Sequence, residues 1–285
     1  RVAADDADPG LVAGRLDTED ERPVGTVMGG GAGHGPEPTV RHDEGVQEIA
    51  AAELVETSAD PFVRHQIDPA STLRAWVSGR ATVVEAPSRR SGVDGTTTIC
   101  LGPTDDLADL MAKVEASGLR PTSVGIEAAA AHVLPATWSI GERPPWFWMW
   151  TTSPCAPPAN ALELLTEAVE VNALLDVAMP ESHTRPGGAQ TWHGFHADGR
   201  LVAAGGLLRT ADGSGHLGGL SVRPDVRRRG WGRELTQGLT LLALSGASRT
   251  ASLGVYAHNV PAITLYEDLS YRTAHVFMWG DVRPG

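Results

Sequence analysis

A turn rich in glycine and arginine, within Gly215–Gly232, has the residue types of a phosphate-binding site. The apolar run Leu217–Val222 precedes the basic turn Arg227-Arg228-Arg229-Gly230-Trp231-Gly232. A helical spacing of apolar residues starts directly afterwards, at Leu235, Leu239, Leu242 and Ala243. A strand, a turn and a helix in this order place backbone N–H groups and the positive end of a helix around the turn. The glycines also let a ligand approach the backbone closely. The sequence therefore predicts a site for a phosphate-bearing ligand.

Two common phosphate-binding motifs do not fit this turn. A nucleotide P-loop requires Lys-Ser/Thr after its last glycine, whereas Arg233-Glu234 follows Gly232. The dinucleotide pattern Gly-x-Gly-x-x-Gly is also absent from the turn.

The turn resembles the Arg/Gln-x-x-Gly-x-Gly/Ala signature of the GNAT family of N-acetyltransferases, carried here by Arg227, Gly230 and Gly232. A second segment is similar to the family helix Asn-x-x-Ala-x-x-Leu-Tyr-x-x-x-Gly-Phe. Its matching residues are Asn259, Ala262, Leu265 and Tyr266, and Ser270-Tyr271 stands where the family has Gly-Phe.

The resemblance implies that the chain binds acetyl-CoA as a co-substrate and needs no metal. The cofactor-binding residues that it implies are Leu220, Ser221, Val222, Arg227, Arg228, Arg229, Gly230, Trp231, Gly232 and Asn259. The arginine turn would hold the pyrophosphate, and the backbone of the strand would pair with the pantetheine and polarise the thioester carbonyl. Asn259 caps its helix, contacts the cofactor, or does both.

Tyr266 matches the family tyrosine that protonates the departing CoA thiolate, although a tyrosine after Leu265 on a helix is also typical of a core. An alkyl amine is neutral in only about one molecule in 10³ at pH 7, so a base or a proton wire is expected. The candidates are His216, His193, His196 and Glu234. Of these, His216 is expected to be an exposed surface histidine. Several tryptophans (Trp146, Trp148, Trp150, Trp192 and Trp231) either wall the acceptor cleft or pack in the core.

Composition limits the classes of partner. The 285 residues carry a formal net charge of −12, with 12 basic and 23 acidic side chains in residues 1–150. An acidic chain with one basic turn argues against nucleic-acid binding, and no apolar run reaches the roughly 20 residues of a membrane span. Cys100 and Cys155 form no metal or redox spacing, which favours reduced thiols and a cytoplasmic location.

Patterning predicts the elements that hold these residues. We expect helices over Val46–Val55 with Asp43 as cap, over residues 69–78, over Pro103–Ser117, and from an Asn160/Glu163 capping box to Ala178. Strands are expected over Ala81–Glu85, Thr96–Leu101, Thr122–Glu127, Phe147–Thr151, Thr191–His196, Leu201–Leu208, Thr250–Ala257 and Ala274–Trp279.

The two halves repeat one another. Phe147-Trp148-Met149-Trp150 parallels Val276-Phe277-Met278-Trp279, and Ser117-Gly118 parallels Ser245-Gly246. Where the second half has its basic turn, the first has Gly102-Pro103-Thr104-Asp105-Asp106, whose carboxylates would repel a pyrophosphate.

We therefore expect an α/β (α+β) protein of two GNAT-like units, each a mixed, mostly antiparallel sheet flanked by helices. Residues 1–40 would be a flexible leader, 41–153 a degenerate unit, and 154–285 the catalytic unit that binds acetyl-CoA. The expected function is acetyl transfer to a primary amine, carried by a small molecule or a peptide, in a monomer or homodimer. The alternative is a non-catalytic acyl-CoA-binding or protein-interaction module.

Overall fold

A computed structural model describes residues 45–88, 95–141, 144–182 and 184–283 of the chain. The proposed leader and Asp43 lie outside these residues. The strands are Gln47–Ile49 (β1), Arg74–Ser78 (β2), Ala81–Pro87 (β3), Thr96–Leu101 (β4), Ser123–Glu127 (β5), Trp146–Thr151 (β6), Glu163–Leu165 (β7), Thr191–Ala197 (β8), Arg200–Arg209 (β9), Gly215–Val222 (β10), Ala251–Tyr256 (β11) and Arg272–Asp281 (β12). The α-helices are Ala51–Thr57 (α1), Pro61–Gln66 (α2), Thr104–Ala116 (α3), Ala168–Ala178 (α4), Trp231–Leu244 (α5) and Val260–Asp268 (α6).

The twelve strands of the described residues form one sheet, in the order β1-β2-β3-β4-β5-β12-β6-β11-β10-β9-β8-β7. The pairs β4–β5 and β10–β11 are parallel, and the other neighbours are antiparallel. If each strand of one half is replaced by the corresponding strand of the other half (β1 by β7, β2 by β8 and so on), the order read from the opposite end of the sheet is the same. This symmetry agrees with the internal repeat. The mixed, mostly antiparallel sheet confirms the predicted fold class.

The last strand of each half is inserted into the sheet of the other half. Strand β6, from the first half, pairs with β11 and β12, whereas β12, from the second half, pairs with β5 and β6. The halves thus share a continuous sheet through exchanged strands. The boundaries at 41–153 and 154–285 stay a prediction, because the sheet has no break between them.

Helices cover both faces of the sheet. On β9, Ala203 packs with the α5 and α6 core while its neighbour Ala204 packs with α4. On β6, Met149 belongs to the α5 and α6 core while Trp148 packs against Phe62 of α2. Adjacent strand residues point to opposite faces, so α2 and α4 lie on one face and α5 and α6 on the other. We call these the α2–α4 face and the α5–α6 face.

A cluster of charged groups around the buried His275 fixes α2 on its face. The carboxylate of Asp60 caps the helix by accepting hydrogen bonds from the Phe62 and Val63 amides at 2.8 and 3.1 Å. The same carboxylate lies 3.0 Å from Nε2 of His275 on β12, whose Nδ1 contacts the Glu127 carboxylate. Burial alone would lower the pKa of His275, but hydrogen bonds to both carboxylates outweigh it and raise the pKa to about 9. A charged imidazolium therefore joins β12 to two elements of the first half.

Three helix predictions were wrong. Residues 47–49 form β1, an edge strand paired with β2, so the helix predicted over Val46–Val55 begins only at Ala51. Of the helix predicted over residues 69–78, residues 74–78 form strand β2 instead, which ends in a hairpin turn where Gly79 has φ +55°. Strand pairing outweighed the helical spacing of these short segments.

The predicted capping box at Asn160 and Glu163 was the third error. The amide and side chain of Asn160 donate to the Glu234 carboxylate at 2.9 and 2.8 Å. Glu163 begins β7, and α4 starts only at Ala168. Asn160 thus serves a contact with α5, and not the start of its own helix. The predicted strands and the helix over Pro103–Ser117 are present within two residues of their predicted bounds.

Candidate active site

The site is organised by a bulge in β10. Gly218 pairs with Gly206 of β9, and Ser221 pairs with Ala204. Two residues of β10 thus lie between these pairs, opposite one residue of β9, so β10 holds one extra residue. Gly219 adopts φ +63° there, and a Cβ at this position would stand 2.7 Å from Cη2 of Trp192. Only glycine meets both conditions.

Beyond the bulge, β10 and β11 separate. Their parallel pairing covers only Gly215–Leu217 with Ala251–Leu253, after which β11 continues its pairing with β6 on its other side. Separated parallel strands leave backbone groups that another extended molecule can use. The backbone of Leu220–Val222, predicted to bind the cofactor, borders this gap.

The side chains of this segment divide between the two faces. Leu220 and Val222 are buried in the α5–α6 core, so any ligand contact would come from their backbone. Ser221 points to the opposite face, and its Oγ is buried without a hydrogen-bond partner among the described residues. A buried hydroxyl in this state is costly unless a ligand satisfies it.

The basic turn leads into α5 as predicted. Arg228 and Gly230 both have left-handed backbones, with φ of +69° and +89°, and Gly230 is the residue that caps α5. No side chain of the described residues caps this helix, so the N–H groups of its first turn face the turn residues. Arg228, Arg229 and Gly230 are exposed. The turn therefore combines uncapped amides with exposed cations, an arrangement suited to a phosphate group.

Arg227 has a structural role in the turn. Its Nε donates to the Val222 carbonyl at 3.2 Å, and its Nη2 donates to the Ala178 carbonyl at the same distance. These contacts join the turn to the ends of β10 and α4. Trp231 packs its ring 5.7 Å from Phe195, and the Gly232 carbonyl accepts a hydrogen bond from Thr236. Both residues thus hold the start of α5 in place.

Helix α6 carries the two other predicted residues. Asn259 caps it, accepting a hydrogen bond from the Ala262 amide at 3.4 Å, which confirms the capping role. Tyr266 is completely buried, and its hydroxyl has no hydrogen-bond partner among the described residues. Burial raises the pKa of Tyr266, and the nearby Tyr271 adds to this effect. The phenol is therefore protonated at neutral pH, the state that a general acid needs.

The residue after α6 explains a departure from the family pattern. Ser270, which stands where the pattern has glycine, adopts φ +66°. The left-handed conformation that favours glycine is thus preserved, at the cost of strain in a serine.

The candidate bases lie in different environments. His216 is 3% exposed, so its prediction as a surface histidine was wrong. The Glu234 carboxylate accepts hydrogen bonds from the backbone amide and the side chain of Asn160. Burial lowers the pKa of His193. Burial also lowers the pKa of His196, but hydrogen bonds to Glu170 and Glu163 outweigh it and raise the pKa overall.

The equivalent turn of the first half is closed. A Cβ on Gly102 would stand 2.6 Å from the Arg80 carbonyl, because the turn packs directly against the start of β3. The Asp106 carboxylate accepts a hydrogen bond from the Arg80 amide at 2.9 Å. Strands β4 and β5 stay paired from Thr97 to Cys100, and β4 follows β3 without a bulge. The first half therefore lacks the gap, the bulge and the basic turn of the second.

The tryptophans are mainly packing residues. Trp146 and Trp148 lie in the core under α2, and Trp192 lies in the α4 core beside the bulge. Trp150 is half-buried, with the Arg272 guanidinium 4.5 Å from its ring centroid. Of these, Trp192 is in contact range of the bulge, since a Cβ on Gly219 would meet its ring.

Sequence reasoning missed two features of this region. The bulge had a signal in the pair Gly218-Gly219 inside a strand, since glycine within a strand often marks a bulge. Gln66 and Ser252, which contact His216, had no local signal because they come from distant segments.

No helix in the described parts of the chain is both long and apolar enough to span a bilayer.

Comparisons with known proteins agree with this architecture. Residues 194–280 match a family model described as FR47-like protein. An acetyltransferase of the GNAT family from Colwellia psychrerythraea is 12% identical, with a TM-score of 0.50, over 84% of this chain and 99% of that one. GCN5-related N-acetyltransferases from Kribbella flavida and Sphaerobacter thermophilus are 19% and 17% identical, each with a TM-score of 0.47. These two matches cover 83% of this chain, and 96% and 90% of the other chains. No curated protein matches the chain. The Colwellia structure shows that the chain shares the fold of that GNAT acetyltransferase, and the FR47-like match over residues 194–280 agrees with the predicted resemblance.

Proposed function

We propose that this chain, whose residues 194–280 belong to the GNAT-related FR47-like family, is an N-acetyltransferase that uses acetyl-CoA and acetylates a primary amine. The observation that carries the proposal is the contrast between the two halves. The second half has a bulged strand, a gap and a basic turn before α5, and the equivalent strands and turn of the first half have none of them. The gap and the turn are continuous along β10 and α5.

The residues of the second half fit acetyl-CoA. Uncapped amides at Trp231 and the following residues, with Arg228 and Arg229, would hold the pyrophosphate. The backbone of Leu220–Val222 would pair with the extended pantetheine arm and donate to the thioester carbonyl. The fit is supported by the buried hydroxyl of Ser221, which has no hydrogen-bond partner among the described residues and could form a hydrogen bond with a polar group of the ligand.

Tyr266 is the proposed general acid. Its phenol stays protonated and, within the described parts of the chain, has no hydrogen-bond partner that would hold the proton. The chemistry needs a proton on the departing thiolate, and Tyr266 would donate it directly. When bound, acetyl-CoA supplies the activated acyl group, and the acceptor amine attacks it within a ternary complex.

The test is release of free CoA thiol from acetyl-CoA with a panel of primary amines, including amino acids, amino sugars, polyamines and peptides. Acetylated product identified by mass spectrometry, formed in step with the thiol, would support the proposal. Binding of acetyl-CoA without thiol release for any amine would contradict it.

One observation favours the alternative, a non-catalytic acyl-CoA-binding module. Tyr266 is 0% exposed, and a general acid must reach the leaving group. Calorimetric binding together with the thiol assay separates the two functions, because a binding module gives only the first signal.

A further inference from the structure

The gap between β10 and β11 is accessible to an acceptor on the α2–α4 face. The opposite face is filled by the apolar α5–α6 core. The last paired residues of the two strands are Leu217 and Leu253. The next residue of each strand, Gly218 and Gly254, faces the α2–α4 side and has no side chain. An amine that attacks a thioester held in the gap would therefore approach over these two glycines.

The four bases predicted from sequence do not serve this approach. Both ring nitrogens of His196 are 2.9 Å from carboxylate oxygens, which occupy their lone pair and proton. His193 points to the α5–α6 face, because its neighbour Trp192 packs in the α4 core. His216 is only 3% exposed, and Glu234 belongs to α5 on the wrong face.

Another histidine stands at the end of β11, where the gap opens. Strand β11 ends at Tyr256, and His258 lies two residues further on, directly before the cap of α6. The imidazole of His258 stacks on the Tyr256 ring, with the centroids 5.4 Å apart and the planes inclined by 14°. Tyr256 packs against the core under α2, so the stacked pair lies on the α2–α4 face. His258 is exposed, which lets both an acceptor and water reach its ring.

The stacked pair lies level with the backbone proposed to hold the thioester. Counted from Leu253, Tyr256 is the third residue along β11. Counted from Leu217, the third level of β10 is Ser221, because the bulge places two residues at the second level. Ser221 is the middle residue of Leu220–Val222, which would pair with the pantetheine. Tyr256 and Ser221 thus stand at the same height on opposite sides of the gap, both toward the α2–α4 face.

We propose that His258, held by its stack on Tyr256, is the general base that takes a proton from the acceptor ammonium. The neutral amine then forms a C–N bond with the thioester carbonyl carbon, and the C–S bond breaks. The nitrogen loses two protons in all. One leaves through a ring nitrogen of His258 to water, and the other replaces the proton that Tyr266 gives to the thiolate. This role rests on the proposed acetyl transfer.

The base is tested by thiol release from the full chain with the primary amine that gives the highest turnover. His258→Ala should lower kcat/KM for the amine about 10²–10³-fold, as expected for the loss of a general base. Free imidazole at about 50 mM should raise the activity of this variant about tenfold, because it enters an exposed space and accepts the same proton. His132→Ala is the matched control, since His132 is also exposed but lies in the first half, within Ala128–Val133. Its activity should neither fall nor respond to imidazole.

A second readout needs no turnover. Histidine labelled with ¹³C in the full chain gives a ¹H–¹³C signal for each ring Cε1–H group, and His258→Ala assigns the signal of His258. In the presence of CoA, which has no acetyl group to transfer, saturating amine should shift the His258 signal. The His132 signal should stay where it is.

Three results would each overturn the inference. They are equal turnover of His258→Ala and the unaltered chain, a loss of activity that imidazole does not reverse, and a His258 signal that the amine leaves unmoved. Absence of thiol release from the unaltered chain with every amine would instead refute the proposed function, and the base role with it. The two failures are distinguishable, because only the second abolishes turnover in the unaltered chain.

Discussion

The substitution Tyr266→Phe tests whether the buried phenol is kept for chemistry or for stability. It removes one oxygen and leaves the ring packing in the α5–α6 core unchanged. The hydroxyl has no hydrogen-bond partner among the described residues, so its loss breaks no internal hydrogen bond. An unsatisfied buried polar group costs about 1–3 kcal/mol. We therefore expect the free energy of unfolding to stay the same or to rise by about 1 kcal/mol in Tyr266→Phe.

The same substitution should lower activity. General acid–base groups contribute about 10²–10⁴-fold to rate, so kcat should fall within this range while acetyl-CoA affinity is retained. Stability is measured by urea unfolding, affinity by titration calorimetry, and turnover by thiol release. A more stable and less active variant is the signature of a functional group held in an unfavourable place.

Tyr271→Phe is the matched control. Tyr271 is also a buried tyrosine of this core, but its hydroxyl lies 2.8 Å from Thr240 Oγ1. Removing it leaves Thr240 without this partner, so unfolding should cost about 1–2 kcal/mol less while kcat changes little. A catalytic role for the Tyr266 hydroxyl is refuted if Tyr266→Phe is destabilised like the control and keeps full turnover.

Titration calorimetry should show one acetyl-CoA bound per chain, and two equivalent sites would contradict this stoichiometry. Gly230→Glu should abolish binding, because it adds a negative charge at the turn and strains a backbone with φ +89°. The free energy of unfolding should depend on pH through His275, whose pKa is raised from 6.5 to about 9. The stabilisation by the charged imidazolium is fully present below pH 6.5, and roughly 3 kcal/mol of it is lost as the pH rises toward 9. Urea unfolding of His275→Gln should not show this decline. Ser270→Gly should raise the free energy of unfolding by about 1 kcal/mol by relieving a left-handed serine, and an unchanged melting curve would show that the strain is absorbed elsewhere. Residues 154–285 expressed alone should not give a sharp unfolding transition, because they lack β6, and adding residues 41–153 should restore it; a cooperative transition in the isolated segment would contradict the importance of strand exchange.

The sequence was most informative where structure is set locally. The order of strand, basic turn and helix around Gly230 follows from an apolar run, a proline and glycines, and each of these acts on its own segment of backbone. The cap at Asn259 is equally local. The errors fell on short segments. Residues 74–78 have a helical spacing of apolar groups but pair with β1 and β3, and a few residues of helix cannot compete with two strand partners.

The contacts between the halves could not be read from sequence patterns. Gln66 and His216 are 150 positions apart, and nothing near either residue indicates the other. The exchange of β6 and β12 is equally invisible, because the two strands have similar apolar sequences and either would suit either place in the sheet. Residue propensities and hydrophobic periodicity indicate whether a segment is a helix or a strand. Which of two similar strands pairs with a given neighbour is decided by packing of the whole chain.

The exchanged strands have a consequence for synthesis on the ribosome. Strand β5 ends at Glu127, but its neighbour β12 begins only at Arg272. At about 5–20 residues per second, the ribosome needs roughly 7–30 s to make the intervening chain. During this interval one edge of the nascent first half is without its final neighbour, and β6, made much earlier, is the strand at hand to occupy it. Correct folding would then require β6 to leave the edge of β5 when β12 emerges. The yield of correctly assembled chains would therefore depend on the speed of translation and on binding of the nascent chain by holdase chaperones.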